Sequence, residues 1–128
     1  MIGKRITLGG MAFLMLSALA MKDAGSADVK QRFSARGLGT NTCARYLQDR
    51  NDADAAAKSD RYVDWFTGFL TAYNWLQPDT YAIAPDYKAN GLLRYLDLYC
   101  GKNPKSKITD AATGFVKAVY SKRQKVGS

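Results

Sequence analysis

Few residues in this chain have side chains that could do chemistry. Cys43 and Cys100 are its only thiols, and it has no histidine and no glutamate. Without histidine the commonest general base is missing, and a cysteine nucleophile would lack an imidazole to deprotonate it. Two cysteines cannot fill a zinc site, which needs about four ligands, and the C-x-x-C spacing of a redox pair is absent. Every carboxylate is an aspartate. Asp52, Asp54, Asp60 and Asp64 form a dispersed acidic group. Paired carboxylates can do acid–base work or hold a cation, but these lack the glycine-bearing pattern of a calcium loop. Asp60 and Asp64 fall at the start of a helix, where the dipole favours negative charge. No phosphate-cradling glycine loop, dinucleotide fingerprint or G-x-S-x-G elbow occurs. The expectation is a protein that is not an enzyme and uses no cofactor and no metal.

The cysteines then have each other. Residues 1–27 have the parts of an export signal: Lys4 and Arg5 in front, an apolar run from Ile6 to Ala20, and small-residue cleavage positions after Ala20 or Ala27. The run is shorter than the roughly 20 residues that span a bilayer, so no stable membrane anchor is expected after cleavage. An exported chain with two cysteines is expected to oxidise them to one disulfide, in a periplasmic compartment. Closing so long a loop removes denatured-state entropy worth about 4 kcal/mol. That is a large share of the ~5–15 kcal/mol that holds a small domain together.

Once residues 1–27 are removed, one small domain remains. It stays basic: the whole chain carries +8, and residues 1–27 account for +2 of that. Such a balance favours acidic partners, whether protein, anionic lipid or polyanionic envelope material. Lys117, Lys122, Arg123 and Lys125 concentrate the charge near the C-terminus, where cations also suit a helix end. A nucleic-acid module would interleave exposed aromatics with basic residues. Here the aromatics fall on expected core faces, so no nucleic-acid partner is expected.

The elements that position these residues read as helices. Residues 28–41 are polar with Gly37 and Gly39 and read as a flexible lead-in. Thr40 or Thr42 can cap a short helix through Arg50 with Cys43, Tyr46 and Leu47 on one side. Asn51 to Ser59 is a joint or an extension of the next helix. Asp60 to Leu76 is the strongest helix, with Tyr62, Phe66, Phe69, Tyr73 and Leu76 on one face and Trp65 beside it. Gly68 and Ala72 lie four apart within that helix, where small residues admit another backbone. Asn74 sits near the same face, either bonded to a neighbouring loop backbone or open to a ligand. Gln77 to Asn90 holds Pro78 and Pro85 and reads as a loop. Tyr81, Ile83 and Tyr87 give it apolar weight that marks a candidate contact surface, or else they fold back as a cap on the core. Gly91 to Gly101 forms the next helix, stopped by Gly101 and Pro104. A last helix starts at Ser106, with Ile108, Ala111, Ala112, Phe115, Val119 and Tyr120 as its stripe. The fold expected is all-α: a single-domain bundle of about four helices over 42–122, stapled by Cys43–Cys100, with a basic tail at 123–128.

The run Gly68-Phe69-Leu70-Thr71-Ala72-Tyr73-Asn74, between Cys43 and Cys100, resembles the HdeA/HdeB group of periplasmic acid-stress chaperones. Tyr99-Cys100-x-x-Asn103-Pro104 followed by Asp110-Ala111-Ala112 looks like the Rap/Tai immunity proteins. The first resemblance implies a small exported helical protein with one disulfide, a stress-linked holding role towards unfolded clients, a possible homodimer, and Gly68, Ala72 and Asn74 as structural motif residues. The second implies a periplasmic inhibitor of a peptidoglycan amidase toxin. A basic envelope-binding protein is the third reading left by the charge. All three act by binding a partner.

Overall fold

The structure, a computed structural model, describes residues 32–127. The export signal, both cleavage positions and the first residues of the lead-in lie outside the described residues. Four helices build the domain: α1 (Cys43–Arg50), α2 (Ala55–Leu76), α3 (Ala89–Lys102) and α4 (Ile108–Val119). A two-stranded antiparallel sheet, β1 (Thr80–Ala82) with β2 (Gln124–Lys125), ties the segment after α2 to the C-terminus. The domain is small and all-α, with Cys43 bonded to Cys100.

Local chemistry sets the helix starts. Thr42 caps α1 by accepting a hydrogen bond from the Arg45 N–H at 3.2 Å. The first N–H groups of α1 have no partner within the helix. Cys43 and Ala44 donate theirs instead to the Ser106 and Pro104 carbonyls at 2.7 and 2.9 Å, and Ile108 returns a bond to the Asn41 carbonyl. This ladder lays the entry to α1 beside the entry to α4. The Asp110 carboxylate accepts from the Lys107 N–H at 2.8 Å and closes the first turn of α4.

The long helix α2 packs against α1, α3 and α4. Its Tyr62, Phe66 and Leu70 are buried, and Phe66 meets Phe115 of α4 edge to face at 5.4 Å between centroids. The core is completed by Tyr46, Leu92, Leu96, Ile108, Ala111, Ala112, Val116 and Val119 around the bridge.

The structure decides one open reading and corrects three expectations. Of the two readings of the alanine-rich joint, the extension holds from Ala55 onward, because alanine is the best helix former and nothing in Ala55-Ala56-Ala57 interrupts the turn. The lead-in is ordered from Gly37 to Thr40 as a 3₁₀ turn, pinned by Trp65 Nε1–H donating to the Arg36 carbonyl at 2.9 Å and by Thr109 donating to the Gly39 carbonyl at 3.0 Å. α3 runs past Gly101 to Lys102, and Asn103 ends it, its N–H returning to the Tyr99 and Cys100 carbonyls. The tail enters the fold, because β2 pairs with β1.

Candidate functional site

Two places collect the polar and apolar chemistry of the surface. The first lies where α1 crosses α2 and α3, and it is an interlocked set of charges. Arg50 of α1 clamps Asp97 of α3 with two parallel bonds, Nε to Oδ1 and Nη2 to Oδ2, both 2.9 Å. Such a planar fork on a carboxylate is the strongest ion-pair geometry available to a side chain. Tyr46 donates to the same Asp97 Oδ1 at 2.7 Å, and Arg50 Nη1 donates to Ser59 Oγ of α2 at 2.9 Å. Next to Arg50 in the chain, Asp49 of α1 accepts from the Tyr62 hydroxyl of α2 at 2.8 Å, and its other oxygen faces Arg45 at 3.2 Å and Lys58 at 3.7 Å. Asn41 completes this arm by donating to the Tyr62 oxygen at 2.9 Å.

These contacts set the titration of the groups. Burial pushes both carboxyls up, but the bonds they accept outweigh it. Asp49 is held below the usual carboxylate value by Tyr62, Arg45 and the charge of Lys58, and Asp97 by Arg50 and Tyr46. Burial and the bond to Asp97 together push the Tyr46 hydroxyl well above its ordinary value, so it remains a donor throughout the accessible pH range. The pairing of Asp97 with Arg50 and Tyr46 joins residues 47 and 51 positions apart, and no local spacing in the sequence advertises it.

The second place is the end of the domain where α2 stops. Tyr81 is 67 % exposed, and Trp75 and Leu76, at the tip of α2, are 85 % and 51 % exposed. Val126, 65 % exposed, is brought to this end by β2 and by its N–H bond to the Asp79 carbonyl. Arg123 straps the sheet down: it lies 3.9 Å over the Tyr120 ring, donates to the Tyr120 carbonyl, and pairs with the Asp79 carboxylate.

The expected contact triad divides. Tyr81 projects into solvent. Ile83 is buried at 1 % exposure, which corrects its assignment to a contact surface. Thr80 and Ile83 are buried on either side of an outward Tyr81. Strict alternation would put Ile83 on the face of Tyr81, but β1 ends at Ala82 and the Ile83 N–H is held by Asn74 instead. Tyr87 is half exposed and rests its ring edge-on against Phe115 at 4.8 Å, so it caps the core from outside. Gly68 and Ala72 are exposed, and among the described residues no atom beyond its own helix lies within 4 Å of a Cβ built on Gly68, so none of the other described elements packs its backbone there. Gly68 is two residues from the buried Phe66, hence about 200° round the helix. Asn74 accepts a hydrogen bond from the Ile83 N–H at 2.8 Å, which makes it the anchor of the segment leading from β1. Leu76, expected in the stripe, has run past the end of the core.

Among the described residues no group of His, Cys, Asp or Glu is placed to hold a metal ion, and no helix is long and apolar enough to cross a membrane. Comparison with protein-family models, curated proteins and solved structures finds no match.

Proposed function

We propose that this is an exported, non-enzymatic protein-binding protein of the periplasm, with a holding role towards unfolded clients under acid stress. The observation that carries the reading is the Asp49–Asp97 lock over α1. α1 lays the buried Tyr46 on the core, where its ring meets the buried Tyr62 edge-on at 4.9 Å. Besides the bridge, the backbone ladder at its first turn and the Arg50–Ser59 bond, these two carboxylates secure its position.

The sign of the pH effect follows from linkage. Both carboxyls are depressed in the folded protein, so they stabilise it above the ordinary aspartate value, near 4. That stabilisation fades as pH falls through their folded values. Protonation therefore loosens the C-terminal end of α1, while Cys43 keeps its first turn tied to α3. An apolar face is uncovered on a chain that cannot drift apart. Lack of histidine restricts the response to strongly acid conditions, and lack of both histidine and glutamate supports the non-enzymatic part of the reading.

The test is client aggregation at pH 2–3 and at pH 7. Protection is expected in acid, with binding of a hydrophobic dye rising over the same range. The double variant Asp49→Asn with Asp97→Asn should bind the dye at a higher pH than wild type. No protection at either pH, with the dye signal flat, refutes the holding role. The exposed Trp75 and Tyr81 favour a second reading, an immunity-type inhibitor that binds in its folded state. Inhibition of a peptidoglycan amidase at neutral pH would select that reading.

A further inference from the structure

The exposed end at the tip of α2 has a composition that the holding role does not use. We propose that it is a docking site for the surface of an anionic phospholipid bilayer, with Trp75, Leu76, Tyr81 and Val126 entering the headgroup zone and Lys117, Lys122 and Lys125 facing lipid phosphates. This inference stands independently of the acid response, because it concerns the folded protein at neutral pH.

Charge points to the occupant. The chain segments that build this end, 73–83 and 117–127, hold Lys117, Lys122, Arg123 and Lys125 against a single carboxylate, Asp79. That carboxylate is already paired with Arg123. The end therefore presents an excess of positive charge around its apolar side chains. Each basic residue close to an anionic leaflet strengthens binding by roughly five-fold.

The apolar residues are of the matching kind. Tryptophan and tyrosine are enriched where hydrocarbon meets headgroups, because each has an apolar body and a polar edge. Here they project outward, at 85 % and 67 % exposure. Interfaces between proteins are poor in lysine at their centres, whereas three of the four cations here are lysines. Side chains that stand out from a basic surface suit a soft, deformable partner better than a rigid one. The support beneath them is fixed: β1–β2 pairing, the Arg123–Tyr120 stack and the Asn74–Ile83 bond hold this end in place. Docking then orders little that was free before.

The experiment uses the exported, disulfide-bonded protein and vesicles of phosphatidylcholine with or without about one-third phosphatidylglycerol, close to the anionic content that gives a leaflet its surface potential. The readout is tryptophan emission and its quenching by acrylamide. Trp65 is partly buried, so Trp75 dominates the quenchable signal. The expected result is a blue shift and loss of quenching with the anionic vesicles alone, reversed by high salt as charges are screened. Trp75→Ser together with Tyr81→Ser, read by co-sedimentation with the vesicles, should weaken association about ten-fold or more, while the melting temperature stays put because both side chains are exposed. Full acrylamide access to Trp75 in the presence of anionic vesicles overturns the proposal. So does equal binding to neutral vesicles, or protection of Trp75 by a protein partner with none by vesicles.

Discussion

Replacing Asn74 with alanine separates a structural role from a binding one. The side-chain oxygen of Asn74 takes the Ile83 N–H at 2.8 Å, and the Ile83 side chain is buried. Alanine removes the acceptor and leaves that N–H without its partner, at a cost of about 1–3 kcal/mol. Alanine is also the better helix former, by up to ~0.7 kcal/mol, and recovers part of the loss. The net destabilisation is about 1–2 kcal/mol. For a domain of this size each kcal/mol moves the melting temperature by about 4–8 °C, so a fall of roughly 5–15 °C is expected. Asn74→Asp keeps an oxygen in the same place and accepts the bond more strongly when ionised. It also puts a negative charge near the C-terminus of α2, which costs about 0.3–1 kcal/mol. It should therefore melt within a few degrees of wild type at neutral pH. Thermal unfolding of the three proteins, followed by circular dichroism, decides the matter. An alanine variant with an unchanged melting temperature refutes the reasoning, and so does an aspartate variant that falls as far as alanine.

Ile83→Ala should cost about 2–5 kcal/mol as a core truncation, whereas Tyr81→Ser should stay within about 0.5 kcal/mol of wild type; equal effects in denaturant titrations would reject the division between them. Gly39→Ala should destabilise by at least ~1–3 kcal/mol, because a Cβ there would come within 2.1 Å of the Trp65 ring; adding Trp65→Phe should recover part of the loss in chemical unfolding. Reduction of Cys43–Cys100 should remove about 2–5 kcal/mol, read as a lower denaturation midpoint with thiol reductant present. Stability measured from pH 6 downward should fall below about pH 4 as Asp49 and Asp97 take up protons, and Asp97→Asn should flatten that part of the curve.

Much of the fold was legible because helical periodicity reports burial directly. Tyr62 and Phe66 in α2, Leu92 and Leu96 in α3, and Ile108, Ala111, Ala112 and Phe115 in α4 all fall in the core that their spacing predicts. The bridge followed from two cysteines behind an export-like segment. The sheet was not legible, since strands of three and two residues are too short to show alternation. Their pairing depends on chain ends meeting across more than forty positions, as the Asp79–Arg123 pair does. The Arg50–Asp97 clamp was hidden for the same reason. The ordered turn at Gly37–Thr40 was missed because its glycines look like mobile punctuation, when Gly39 is there to let Trp65 come close.

The covalent link between Cys43 and Cys100 makes a closed ring of the chain that carries α1, α2, β1 and α3, while α4 and β2 lie outside it. Tension applied at the two ends of the polypeptide would enter at one cysteine and leave at the other. Of the described residues, only the segments before Cys43 and after Cys100 could lengthen under load. The 57-position span between the cysteines would stay slack until the bond was reduced. Its release would then add about 19 nm of contour at ~3.3–3.6 Å per residue. β2, which comes from outside the ring to pair with β1 inside it, would be the first structure to part, and the three ring helices would be sheltered from the pull.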